Sequence, residues 1–159
     1  MLPGIVICDP ELTVGLPPFV TAGTGMDALA HCLEAYCAPG YHPLAHPIGT
    51  LYDTHHGMTN AIVMPHVLNF NRPAIESRID RLTGWLGLTG GFDGFMAHLA
   101  NLRAAAHVPP SLQALGVDDR HAAQVARLAI VDPSAAGNPV PLTEADAHAL
   151  FRAALDFAN

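Results

Sequence analysis

Basic residues are scarce: the 159 residues contain seven Lys and Arg together against fourteen Asp and Glu, a formal net charge of −7 with histidine neutral. The seven are scattered and form no patch, which argues against nucleic acid or an anionic membrane as partner. Charged residues make up only 13% of the chain and hydrophobic residues 50%, with a mean hydropathy of +0.28. That is too apolar for a disordered chain. It is also high for a free-standing domain, and it predicts apolar surface covered by a partner or by another part of a larger protein. Cysteine is limited to Cys8, Cys32 and Cys37. An odd count without framework spacing argues against a disulfide scaffold and fits a reducing compartment. There is no CxxC, so Cys32 and Cys37 read as buried thiols and not as ligands. No apolar run approaches the length of a bilayer span. Met1 to Val6 lacks the basic flank and apolar run of a signal peptide, so the cytoplasm is the default expectation. The length fits one domain able to bury a core.

What the chain does have is helical periodicity. Residues 4–9 read as a short buried strand ending at Asp9-Pro10, with no pairing partner later in the chain. Pro17-Pro18 could open a helical turn, and Thr24 with Asp27 resembles a capping box for a helix over 25–38, ended by Pro39-Gly40. Its apolar positions Met26, Leu29, Ala30, Leu33 and Cys37 share one face. Residues 41–57 are punctuated by proline and glycine and read as irregular. Met58 to Phe70 and Ile75 to Leu86 read as two helices, with Pro65 expected to kink or shorten the first. A clean stripe of Phe92, Phe95, Met96, Leu99, Leu102 and Ala106 predicts a further helix, its aromatics in the core. Helices over 118–131 and from Thr143 onward, the latter with Asp146 three residues on, complete an all-α bundle with an extended N-terminal segment.

Histidine is the outlier. Six of the ten, His31, His42, His46, His55, His56 and His66, fall between residues 31 and 66. Asp27 and His31 are four apart on a predicted helix, so a carboxylate oxygen and an imidazole nitrogen project from one face and can meet one ion. His42, His46 and His56 lie in loops that could fold back onto that helix. A carboxylate with two or three imidazoles suits Fe2+ or Zn2+ and disfavours Ca2+ or Mg2+.

Ordered motifs carry a resemblance. The strings Gly25-Met-Asp-Ala-Leu-Ala-His31 and His46-Pro-Ile-Gly-Thr-Leu-Tyr-Asp-Thr-His-His-Gly-Met-Thr-Asn-Ala-Ile-Val-Met-Pro-His66, with the tail Asp132-Pro-Ser-Ala-Ala-Gly-Asn-Pro and Pro141-Leu-Thr143, resemble the iron-containing alcohol dehydrogenase family. The resemblance covers almost the whole chain. It implies a helical, metal-holding C-terminal half of an enzyme whose N-terminal half binds NAD(P). It implies Asp27, His31 and His56 as metal ligands and His42, fourteen positions before His56, as the fourth. It implies that His46, ten before His56, lies near the reacting carbons as a catalytic group.

Two departures are visible. The nucleotide-binding half is missing from these 159 residues, and Gly90-Gly91, with no preceding strand and no further glycine spacing, is no substitute. Several helices of the family between the Asp27–His31 helix and the second histidine motif are also lacking, with only Cys37 to Ala45 at the junction. His55 replaces a usual proline and reads as a solvated neighbour, His66 as a packing residue, and Glu34 as a surface group or a partner of the ligands. His98, His107, His121 and His148 are expected on helix surfaces. The expected function is therefore NAD(P)-linked, Fe2+-dependent oxidation of an alcohol to an aldehyde or ketone by a shortened member, with Zn2+ as an alternative metal. Its partners would be a small alcohol or carbonyl substrate and a second copy or a separate nucleotide-binding chain. The alternatives are a non-catalytic helical metal-binding fragment or subunit, and a zinc hydrolase, for which no HExxH-like arrangement is present.

Overall fold

The spine of the molecule is a 30-residue helix, α3 (His56–Trp85), in a computed structural model that describes residues 8–37 and 43–156. Before it come α1 (Pro18–Cys37) and α2 (Ala45–Tyr52); after it come α4 (Gly91–Ala105), α5 (Ala122–Val131) and α6 (Glu144–Leu155), with one short 3-10 turn ahead of α1 and one on each side of α5. Among the described residues there is no strand. The all-α architecture matches the expectation, while the extended segment over 4–9 falls almost wholly outside the described residues. No described helix is long and apolar enough to cross a membrane.

Sequence periodicity splits residues 58–86 into two helices, yet α3 runs unbroken through Pro65 and Pro73. Each interior proline removes one backbone hydrogen bond and crowds the preceding turn, at a cost of about 3 kcal/mol. The opposing force is burial. Ile62, Val63, Met64, Leu68, Ile75 and Ile79 on this helix are all at or below 4% exposure. At about 1.5–3 kcal/mol for each such side chain, burial outweighs both prolines. The helix stays whole because α1, α2, α4 and α6 pack along its length.

Helix α1 begins at Pro18, about two turns earlier than the Thr24 capping box predicts. Thr24 lies inside the helix, where its hydroxyl donates to the carbonyls of Val20 (3.0 Å) and Thr21 (3.1 Å). Proline at the first helical position loses nothing, because that N–H would have no intrahelical partner. The anticipated face is correct, with Met26, Ala30, Leu33 and Cys37 buried. Cys32 is exposed, one position off that face, and Cys8 is exposed as well, so only Cys37 is a buried thiol. The last carbonyls of α1 accept from the Arg78 guanidinium on α3, Tyr36 O at 3.2 Å and Cys37 O alongside it.

The stretch expected to be irregular contains α2, with Pro47 in its first turn, where proline is tolerated. Asp53 ends it in the left-handed region (φ 53°), a conformation that Asp adopts more readily than most residues. Tyr52 then ties α2 to the start of α5: its hydroxyl donates to Asp118 O (2.7 Å) and accepts from His121 N–H (3.3 Å). Gly90-Gly91 is explained by packing. Both have positive φ, and the Phe92 N–H that opens α4 is capped at 2.8 Å by Asp80 Oδ1 from α3. A side chain at Gly91 would lie 2.6 Å from that oxygen. Thr143 and Asp146 form the anticipated capping box, and the predicted α6 face of Ala147, Leu150, Phe151, Ala154 and Leu155 is wholly buried. Apolar surface nevertheless remains exposed at Leu12, Val14, Trp85 and Val131.

Candidate metal centre

The centre lies where α1 crosses the start of α3, and two glycines set the distance of closest approach. A Cβ at Gly57 would come 2.1 Å from Gly23 O and 3.2 Å from Asp27 Cβ, so the backbones meet there without side chains between them. Asp27, one turn beyond Gly23 on α1, is thereby held beside His56, the first residue of α3. Asp27 Oδ1 is 3.6 Å from His56 Nε2, and Asp27 Oδ2 is 3.6 Å from His31 Nε2. In a tetrahedral site with bonds of about 2.0–2.2 Å, neighbouring donors lie about 3.3–3.6 Å apart. One carboxylate and two imidazoles suit Fe2+ or Zn2+ in donor chemistry, and each Asp27–histidine separation taken singly is of this size.

The set is not closed. Among the described residues no three His, Cys, Asp or Glu side chains are placed so as to hold a metal ion together, and Asp27 faces the two histidines through different oxygens. Asn60, four residues after His56 on α3 and only 4% exposed, stands at the join. Its amide Nδ2 donates to Asp27 Oδ1 at 2.7 Å and lies 3.0 Å from His56 Nε2. With Nε2 accepting from that amide, the neutral His56 ring carries its proton on Nδ1, and the Nε2 lone pair has to leave Asn60 before it can bind a metal. Glu34 Oε2 is 4.0 Å from His31 Nδ1 on the opposite side of that ring. His42, the implied fourth ligand, lies outside the described residues.

His46 is carried by α2, and its ring stacks on His56 with centroids 5.4 Å apart and planes 13° from parallel. On its far side His46 Nδ1 is 2.8 Å from Asp132 Oδ2, in the loop after α5. Ser134 donates its backbone N–H (2.8 Å) and its hydroxyl to the other oxygen, Oδ1. Burial pushes the Asp132 carboxyl upward, but the hydrogen bonds from Ser134 and His46 prevail and hold it below the ordinary carboxylate value. The loop itself is pinned by a side-chain amide pair. Asn71 on α3 and Asn138 exchange hydrogen bonds of 2.8 and 2.9 Å, and Val140 N–H donates to Asn71 Oδ1 at 3.3 Å.

Sequence reasoning missed Asn60, although its place one helical turn after His56 was a local signal. It also missed the roles of Asp132, 86 residues from His46, and of Ser134 beside it, although both stand in the tail motif that carries the resemblance. His55 is no solvated bystander. It is half-buried at the N-cap of α3, where Nδ1 accepts from Met58 N–H (3.4 Å), and its ring meets Phe19 edge-on and lies against Gly23. Histidine is not among the favoured cap residues, which left this role illegible.

The comparisons with known proteins agree with the motifs. The pattern described as Fe-containing alcohol dehydrogenase family, C-terminal, matches residues 38–155, and the chain belongs to this family. The 4-hydroxybutyrate dehydrogenase of Cupriavidus necator is 30% identical, over 92% of this chain and 54% of its own length. The 1,3-propanediol dehydrogenase of Klebsiella pneumoniae is 28% identical, over 96% of this chain and 55% of its own. A solved 1,3-propanediol oxidoreductase superposes with a TM-score of 0.86 at 27% identity, covering 92% of this chain and 55% of that one. The chain thus spans about half the length of the curated relatives it matches. The first alignment runs over 208 positions, more than the 159 residues this chain possesses. The relative therefore carries residues inside the matched span that have no counterpart here.

Proposed function

We propose that this chain binds one Fe2+ through Asp27, His31 and His56, with His42 as fourth donor, as the metal-holding half of an NAD(P)-linked alcohol dehydrogenase. The observation that carries this reading is Asp27 standing 3.6 Å from each of two imidazoles on the α1–α3 seam. When bound, the metal would supply Lewis-acid polarisation of the alcohol oxygen, and a dinucleotide held by the other half of the fold would supply the hydride acceptor for oxidation to an aldehyde or ketone. The chain's own residues do the rest. Asn60 fixes the orientation of Asp27 and yields His56 Nε2 to the metal. His46, stacked on His56, is the nearby group able to take a proton. The same donors accept Zn2+. The dinucleotide site is assigned to the half of the family fold that these 159 residues do not include, whether on the same polypeptide or on a separate chain. Metal binding without turnover is the second reading, favoured by the residues that the relative carries inside the matched span and this chain does not.

Calorimetric titration of the full chain with Fe2+ under anaerobic conditions tests the proposal. One ion per chain is expected. Asp27→Asn should weaken binding sharply, because it removes the anionic donor of the set and leaves a poorer amide ligand. Equal affinity in the wild type and this variant would mean that the site lies elsewhere.

A further inference from the structure

Resting on the proposed reaction, the geometry points to Asp132, clamped by Ser134, as the positioning residue that keeps the His46 proton on Nδ1 and makes Nε2 the ring's proton-accepting nitrogen. Three observations converge. The His46 Nδ1 to Asp132 Oδ2 contact of 2.8 Å joins two elements 86 residues apart in the chain. Asp132 cannot turn away, because its other oxygen is held by both the N–H and the hydroxyl of Ser134. The loop carrying both residues is locked to α3 by the hydrogen-bonded pair of buried Asn71 and half-buried Asn138. An ionised carboxylate only accepts hydrogen bonds. The proton in the His46–Asp132 bond therefore belongs to Nδ1, and a neutral ring then carries its lone pair on Nε2. In alcohol oxidation the substrate O–H bond breaks and an N–H bond forms at Nε2. The resulting imidazolium is paired with the Asp132 carboxylate, so no uncompensated charge develops on the ring. Ser134 does not act as a nucleophile in this arrangement, since its hydroxyl is committed to Asp132 and not to His46.

The same clamp makes the consequence of Asp132→Asn specific. The two Ser134 donors keep the amide oxygen on their side, so the amide NH2 faces His46 Nδ1. Nδ1 must then accept, and the proton moves to Nε2. Long-range 1H–15N correlation spectra of the histidine rings, recorded on the full chain with and without Zn2+ at a pH above the histidine range, read the tautomer directly. The wild type should show protonated Nδ1 and unprotonated Nε2 at His46, and Asp132→Asn the reverse. A His46 protonated on Nε2 in the wild type overturns the inference, and so does the same tautomer in both proteins. If the variant does not fold, the wild-type spectrum decides alone. Zinc titration of the same samples separates this inference from the function it rests on. Absence of zinc binding in the wild type would remove the proposed reaction and leave the tautomer result standing. Asp132→Asn, which touches no donor of the set, should bind zinc as the wild type does.

Discussion

Replacing Gly57 with Ala places one methyl group in the α1–α3 seam and tests whether that seam builds the proposed metal centre. The added Cβ would lie 2.1 Å from Gly23 O, whereas real Cβ atoms do not approach heavy atoms closer than 3.0 Å. The atom opposed is backbone, so no side chain can swing aside and the helices must separate by about 0.9 Å, beyond the roughly 0.5 Å within which a site must be held to function. Overpacking of this kind costs about 1–3 kcal/mol. For a domain of this size that is a fall in Tm of about 2–4 °C per kcal/mol. The same displacement moves Asp27 away from His56 and Asn60. Zinc affinity should therefore fall by about 10–100-fold, the range for disturbing the partners of a ligand. Circular-dichroism melting of the metal-free chain and calorimetric titration with Zn2+ measure the two effects separately. Gly25→Ala is the control: on the same helix its Cβ meets nothing within 4 Å, and the gain in helix propensity should raise stability by about 0.5–1 kcal/mol. A Gly57→Ala protein with unchanged Tm and unchanged zinc affinity would refute the close contact and its role in setting the donor distances.

Asn71→Ala should destabilise the chain through the loop of residues 132–142, because Asn138 Oδ1 and Val140 N–H lose their partner inside the protein. At about 0.5–1.5 kcal/mol for each hydrogen bond lost between these half-buried groups, thermal denaturation should show a drop in Tm, and an unchanged melt would mean that water replaces the amide without cost. His66 gives a pH signature in the metal-free protein. Burial first, and then the charge of Arg103, hold its imidazole below the usual 6.5. The unfolded chain therefore takes up the proton before the folded one does, so this contribution to stability is complete above pH 6.5 and declines as pH falls toward the depressed value. Urea denaturation across that interval should give a shallower pH slope for His66→Gln than for the wild type, and identical slopes would contradict the assignment.

Local chemistry made much of this protein legible before any coordinates. The i, i+4 pair of Asp27 and His31, the Thr143–Asp146 capping box and the apolar faces of α1, α4 and α6 depend only on residues within a turn or two of one another. Their physics is written in the spacing, and the ordered motifs around His31 and His56 pointed to the family. Tertiary structure decided the rest. Residues 56–85 form one helix in place of two, because burial against four neighbouring helices exceeds the local penalty of Pro65 and Pro73. The distance between Asp27 and His56 follows from the Gly23–Gly57 contact, which joins positions 34 residues apart that no periodicity links. The pairing of His46 with Asp132 spans 86 residues. It exists because Tyr52 ties the end of α2 to the start of α5 while the Asn71–Asn138 amides fold the loop after α5 back onto α3. A sequence shows which groups can accept, donate or ligate; which of them meet is fixed by packing between distant segments.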